Sequence, residues 1–102
     1  MQVKILGKKW ALQFVPHGSK ALDIGYTEGA FGLCDVSSCA MTVASDVDPQ
    51  QVADTVWHEI THAVDETLGL NLSERQVHAL AAGQLAVLLD NPKLIDLLLR
   101  RK

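Results

Sequence analysis

Two of the four histidines stand four residues apart in Val56-Trp57-His58-Glu59-Ile60-Thr61-His62-Ala63-Val64-Asp65-Glu66, and Glu59 follows the first of them. At 3.6 residues per helical turn, positions 58 and 62 lie on one face, one above the other. Two imidazoles placed this way can grip one zinc ion. Glu59 is turned about 100° around the same helix and is free to take a proton from a water held on the metal. This is the logic of His-Glu-x-x-His: two histidine ligands, a glutamate base, and a water whose pKa the metal lowers to about 7. The competing reading is an ordinary helix on which His58 and Glu59 face solvent and His62 is a lone core histidine.

A catalytic zinc takes three protein ligands and keeps a fourth position open. Asp65 lies seven residues beyond His58, a rise of about 10 Å, so neither it nor Glu66 reaches an ion shared by the two histidines. Asp65 is better suited to accept an imidazole N–H and fix its tautomer. The third ligand must come from another element. Glu74, at the start of the next predicted helix, is one candidate, and His78, one turn further on the same face, is the other. Whichever does not bind the metal is left to support a ligand or touch substrate. Tyr26, His78 and His17 are candidate electrophilic helpers for an oxyanion.

The elements that must position these groups are punctuated clearly. Asp48-Pro49 reads as an N-cap followed by proline at the first helical position, and Gly69 as a left-handed stop, so the motif falls inside a helix running to about Leu68. Along that helix Val52, Val56, Ile60, Ala63 and Thr67 mark an expected buried stripe, with Ala53, Trp57, Val64 and Leu68 beside it. Ser73 and Gln76 form a capping box for a second helix to about Leu89, with Leu72 and Val77 placed as a hydrophobic staple. Asn91-Pro92 starts a third helix that ends near Arg101. Its leucines cover more than one face, which suits packing on the core or on a partner.

Residues 1–45 read as β. Val3 to Leu6 and Lys9 to Val15 flank a glycine turn, with Trp10, Leu12 and Phe14 on one face of the second run. Residues 18–30 hold Gly18, Gly25 and Gly29 and read as a loop. Phe31 to Asp35 and Cys39 to Ala44 read as a second strand pair. The fold class is therefore α+β: a small antiparallel sheet of three or four strands, then the motif helix, then two further helices, in a single domain over residues 1–102.

The 102 residues are 48% hydrophobic and 21% charged, with a net charge of -3 and a pI near 5.7. An acidic balance argues against nucleic acid as a partner, because phosphate binding needs a basic surface. No stretch of 18 apolar residues marks a membrane span, and the N-terminus lacks the pattern of a signal peptide. The expected compartment is the cytoplasm, with Cys34 and Cys39 as reduced thiols. Their spacing does not match a strong zinc pair.

The stretches "HEITHAVDE" and "LSERQVHALAAGQLAVLLDNP" resemble small phage and bacterial zincin-like metallopeptidases of the ImmA/IrrE and SprT-like types, and short phage-encoded HExxH proteins. In the ImmA/IrrE type a metal-binding glutamate opens a helix reading roughly Glu-x-x-Ala-Asn-x-Phe-Ala. Glu74 to Ala81 is similar, with Glu74 in the ligand place and His78 where that family has asparagine. The upstream "FGLCDVSSCAMTVA" is similar to the strand pair that precedes the zinc helix in such domains. The gap from His62 to Glu74 is shorter than in the ImmA/IrrE type, and neither a DNA-binding module nor a zinc ribbon accompanies it. The resemblance implies a cytoplasmic, zinc-dependent peptidase in a minimal zincin-like fold, acting in the host cell if phage-encoded. Its metal would be held by His58, His62 and Glu74, with Glu59 as the base. A peptide or protein substrate would add to an edge strand, either Phe31 to Asp35 or Cys39 to Ala44. The alternative is a catalytically silent, metal-stabilised binding protein, for instance a phage protein acting on a host factor. Association into an oligomer is compatible with either.

Overall fold

A computed structural model describes residues 1–22 and 30–100. Tyr26, Gly25, Gly29 and the last two residues of the basic tail lie outside the described residues. In chain order the elements are β1 (Gln2–Ile5), β2 (Lys8–Val15), a short 3-10 turn (Lys20–Leu22), β3 (Gly32–Asp35), β4 (Ala40–Ala44), α1 (Pro49–Leu68), α2 (Glu74–Asp90) and α3 (Pro92–Leu99).

The two hairpins form as their turn residues require. Leu6 and Gly7 both take positive φ, 49° and 85°, the backbone that matches a two-residue turn to the strand twist. β1 pairs antiparallel with β2, and β3 antiparallel with β4. The expected antiparallel sheet needs one correction: the hairpins join through β2 and β4, which run parallel, Leu12 opposite Met41 and Phe14 opposite Val43. The sheet is mixed, in the order β1-β2-β4-β3. A parallel pair needs a connection of about a dozen residues or more, and residues 16–39 between β2 and β4 supply it. Joining this way places the two most apolar strands at the centre, where Trp10, Leu12, Met41 and Val43 are at most 3% exposed. Phe14, at the end of β2, is left half-exposed.

α1 lies against this sheet. Val52, Val56, Ile60 and Val64 are half-buried against the core of Ile5, Trp10, Leu12, Met41, Val43 and Ala63. The deepest line on the helix differs from the apolar stripe expected: Thr55, Glu59 and Ala63 are buried, while Thr67 and Leu68 are exposed. Asp48 accepts from the Gln50 N–H at 3.0 Å, and Gly69 closes the helix at φ 64° with its N–H on the Asp65 carbonyl. α2 begins with a complete capping box, Ser73 and Gln76 each bonding the other's backbone N–H, and it buries Val77 and Ala81. α3 buries nothing. Among the described residues no helix is long and apolar enough to cross a membrane.

Candidate metal centre

His58 and His62 point their Nε2 atoms at a common place. Those atoms are 3.1 Å apart, and Glu74 reaches both, Oε1 lying 2.7 Å from His58 Nε2 and Oε2 lying 3.1 Å from His62 Nε2. A neutral imidazole nitrogen is either a donor or an acceptor, so a hydrogen bond between the two rings and two more to the carboxylate compete for the same protons. One cation between them uses all three lone pairs at once. Zinc–nitrogen bonds of about 2.0–2.1 Å at a tetrahedral angle put two nitrogens about 3.3 Å apart, close to the spacing seen. The donor set, two imidazoles and a carboxylate, suits zinc. The histidine side chains are 19% and 27% exposed and Glu74 70%, so the point of convergence opens to solvent on the Glu74 side.

The α1–α2 loop brings Glu74 there. The Asp65 carboxylate accepts from the Leu72 N–H at 3.1 Å, and the Asp65 carbonyl receives the Leu70 N–H at 3.1 Å. Asp65 was expected to steady an imidazole; its carboxylate instead clamps the turn that folds α2 back over α1. With Asn71 at φ 57°, four residues after Gly69 suffice to start α2, and its first residue is Glu74. His78 is outside this group of three donor atoms. Its ring lies 6.0 Å from that of His58, and it lines the cleft beside His58 and Glu59.

Glu59 is the least expected residue in its placement. Its side chain turns inward between α1 and β3 and is 6% exposed. It makes no hydrogen bond among the described residues. Burial pushes its carboxyl up to about 7, and the Glu74 carboxylate adds to the rise. β3 passes directly over it: a Cβ on Gly32 would stand 2.5 Å from Thr55 Cγ2 and 2.7 Å from Glu59 Oε2. Only glycine allows the strand to come this close. A glycine inside an otherwise strand-like run, Phe31-Gly32-Leu33, is the signal in the sequence for this close approach.

β3 is the edge strand of the sheet on this side; β4 is interior. The cleft between β3 and α1 has two halves that meet at Gly32, His58 and Glu59. One half, of about 340 Å³, extends past His62 to Glu66, and the other, of about 300 Å³, extends past Thr55 to Asp54. His17 stacks flat on Phe31, their rings 4.6 Å apart, so Phe31, which borders the cleft, carries it. Cys34 also borders the cleft as a free thiol. Its burial, and then the Glu59 carboxylate, push the thiol up to about 12. Cys39 is likewise free. Tyr26 falls outside the described residues.

No family model matches this chain, no curated protein is significantly similar to it, and no solved structure matches it significantly.

Proposed function

We propose that the chain is a zinc-dependent peptidase of minimal zincin-like build. The observation that carries this reading is the carboxylate of Glu59, 6% exposed at the floor of the cleft and without a hydrogen bond among the described residues, beside three converging donor atoms. A buried carboxylate without partners is costly, and a site that only held a metal for stability would not need one. Structural zinc sites are also usually closed by four protein ligands.

His58, His62 and Glu74 would hold the ion. Zinc in such a site polarises a carbonyl and lowers the pKa of water to about 7. Glu59, poised near neutrality, takes the proton of the attacking water and passes it to the leaving amine. The outer edge of β3 offers backbone N–H and C=O groups along which an extended peptide adds as a further strand. Gly32, with no side chain, lets β3 come into contact with Glu59. His78, beside the ion site, is placed to donate to a carbonyl oxygen.

The test has two parts. Metal analysis of the purified chain should find one equivalent of zinc, lost in His58→Ala. A peptide mixture should be cleaved by the native protein, with Glu59→Gln lowering kcat by about 10²–10⁴-fold while zinc content is kept.

A second reading keeps the metal without turnover. Val87, Leu89, Leu97 and Leu98 on α2 and α3 are each half-exposed or more, and exposed apolar patches mark interaction surfaces. One bound zinc with no Glu59-dependent hydrolysis selects this metal-stabilised binding protein.

A further inference from the structure

The charges around the cleft are one-sided. Asp54, His58, His62 and Glu66 follow one another at four-residue steps along α1, so a carboxylate stands one turn before the histidine pair and another one turn after it. Asp54 borders one half of the cleft and Glu66 the other. Glu59 and Glu74 lie between them, which makes four carboxylates, and a divalent cation would offset only two of those charges. Among the described residues that border the cleft, none is Lys or Arg. Lys4, Lys8, Lys9, Lys20 and Lys93 lie on other elements, and Arg75 borders neither half.

Neither flanking carboxylate has an ion pair among the described residues. The ion pairs of the described residues all involve Glu74. Asp54 accepts from the neutral Gln50 Nε2 at 3.0 Å, which leaves its charge uncompensated, and Glu66 is exposed with no hydrogen bond among the described residues. These carboxylates flank the Glu59 carboxylate, 6% exposed, which faces the same cleft with no hydrogen-bond or ion-pair partner among the described residues.

We infer that this cleft, on the reading of it as a peptide-processing site, takes cationic peptide segments, with Lys or Arg side chains on either side of the bond presented to Glu59 received by Asp54 at one end and Glu66 at the other. The twelve residues from Asp54 to Glu66 rise about 18 Å along α1. At about 3.3 Å per residue, an extended peptide spans that distance in roughly five to six residues, and because successive side chains point to opposite faces only an even separation turns both toward α1. A substrate with basic residues about six apart, and without acidic residues between them, meets both ends at once. An acidic segment would meet like charges along the whole cleft.

The experiment uses the zinc-loaded Glu59→Gln protein and two pools of otherwise random peptides, one with lysine fixed at two positions six apart and the other with glutamate there. At low salt the lysine pool should bind about tenfold more tightly, each flanking carboxylate contributing up to about fivefold, and the ratio should shrink as salt rises. Adding Asp54→Asn and Glu66→Gln should bring the ratio below about threefold. Adding Asp90→Asn and Asp96→Asn, an equal change in net charge on α2 and α3, should leave it unchanged. No preference for the lysine pool, no measurable binding of it, or equal loss in both charge variants overturns the inference. Cleavage by the native protein is scored separately on the same pools. A lysine preference without cleavage counts against the peptidase reading and leaves the cationic preference standing; cleavage without preference does the reverse.

Discussion

Trp10, Leu12, Met41 and Val43 on β2 and β4 are at most 3% exposed, whereas Val87, Leu89, Leu97 and Leu98 on α2 and α3 are at least 51% exposed. The two groups are similarly apolar, and the difference is what covers them. The central strands have α1 across one face and neighbours on both edges. On α2 only Val77 and Ala81, near its start, are buried, and on α3 no residue is. The candidate metal centre straddles the boundary. His58, Glu59 and His62 stand on the well-packed half, and Glu74 stands on the first turn of the loosely packed one. A metal here would tie the second region to the first.

The sharpest way to break this comparison is to truncate one large apolar side chain in each half. Trp10→Ala should cost about 3–5 kcal/mol in chemical denaturation, the loss typical of a large buried side chain. Leu98→Ala should stay within about 0.5 kcal/mol. Similar losses at both sites would mean that α3 is covered in solution.

Removing metal should come next in size. With free zinc at a hundred to a thousand times Kd, the folded state gains about 3–4 kcal/mol, and a chelator removes it. Hydrogen exchange should show the loss first in residues 74–81, the turns that carry Glu74, and hardly at all in β2 and β4. Uniform acceleration across both regions would contradict the idea that the ion ties α2 to α1.

The smallest effect concerns Glu59 in the metal-free protein. Its carboxyl stands near 7 in the fold and ordinarily near 4.5, so the fold disfavours the ionised form. Below about pH 4.5 both folded and unfolded chains hold the proton and nothing is lost. As pH rises toward 7 the unfolded chain releases its proton first and stability falls; above 7 the loss is complete. Glu59→Gln, which cannot ionise, should therefore be more stable than the native chain by about 3 kcal/mol at pH 8 and no more stable at pH 4.5. The urea midpoints at the two pH values decide it, and an equal offset at both would show that Glu59 is not held in a desolvated place.

Much of the scaffold was legible because it is written locally. Asp48-Pro49 and Gly69 bound α1 at the residues expected, and Ser73 with Gln76 start α2. A cap, a box or a two-residue turn draws on neighbours within a few positions, so the sequence displays every partner. The histidine spacing is of the same kind: four residues on a helix fix which face two rings share. The choice between Glu74 and His78 was harder, because it depends on the angle at which α2 leaves the turn. Asp65 and Asn71 set that angle, and the sequence reading had given Asp65 a different task.

What the chain order alone settles about this protein is where α1 and α2 begin, that β1 with β2 and β3 with β4 form strand pairs, and that two imidazoles rise on one side of α1. The fold as a whole settles the rest: the parallel meeting of β2 and β4, the choice of β3 as the outer strand, and the burial of Glu59 beneath Gly32. Those features join residues far apart along the chain, and their energies come from excluding water between surfaces that exist only once both have formed. The same helix laid against the sheet at another rotation would have buried the stripe of valines and left Glu59 in solvent.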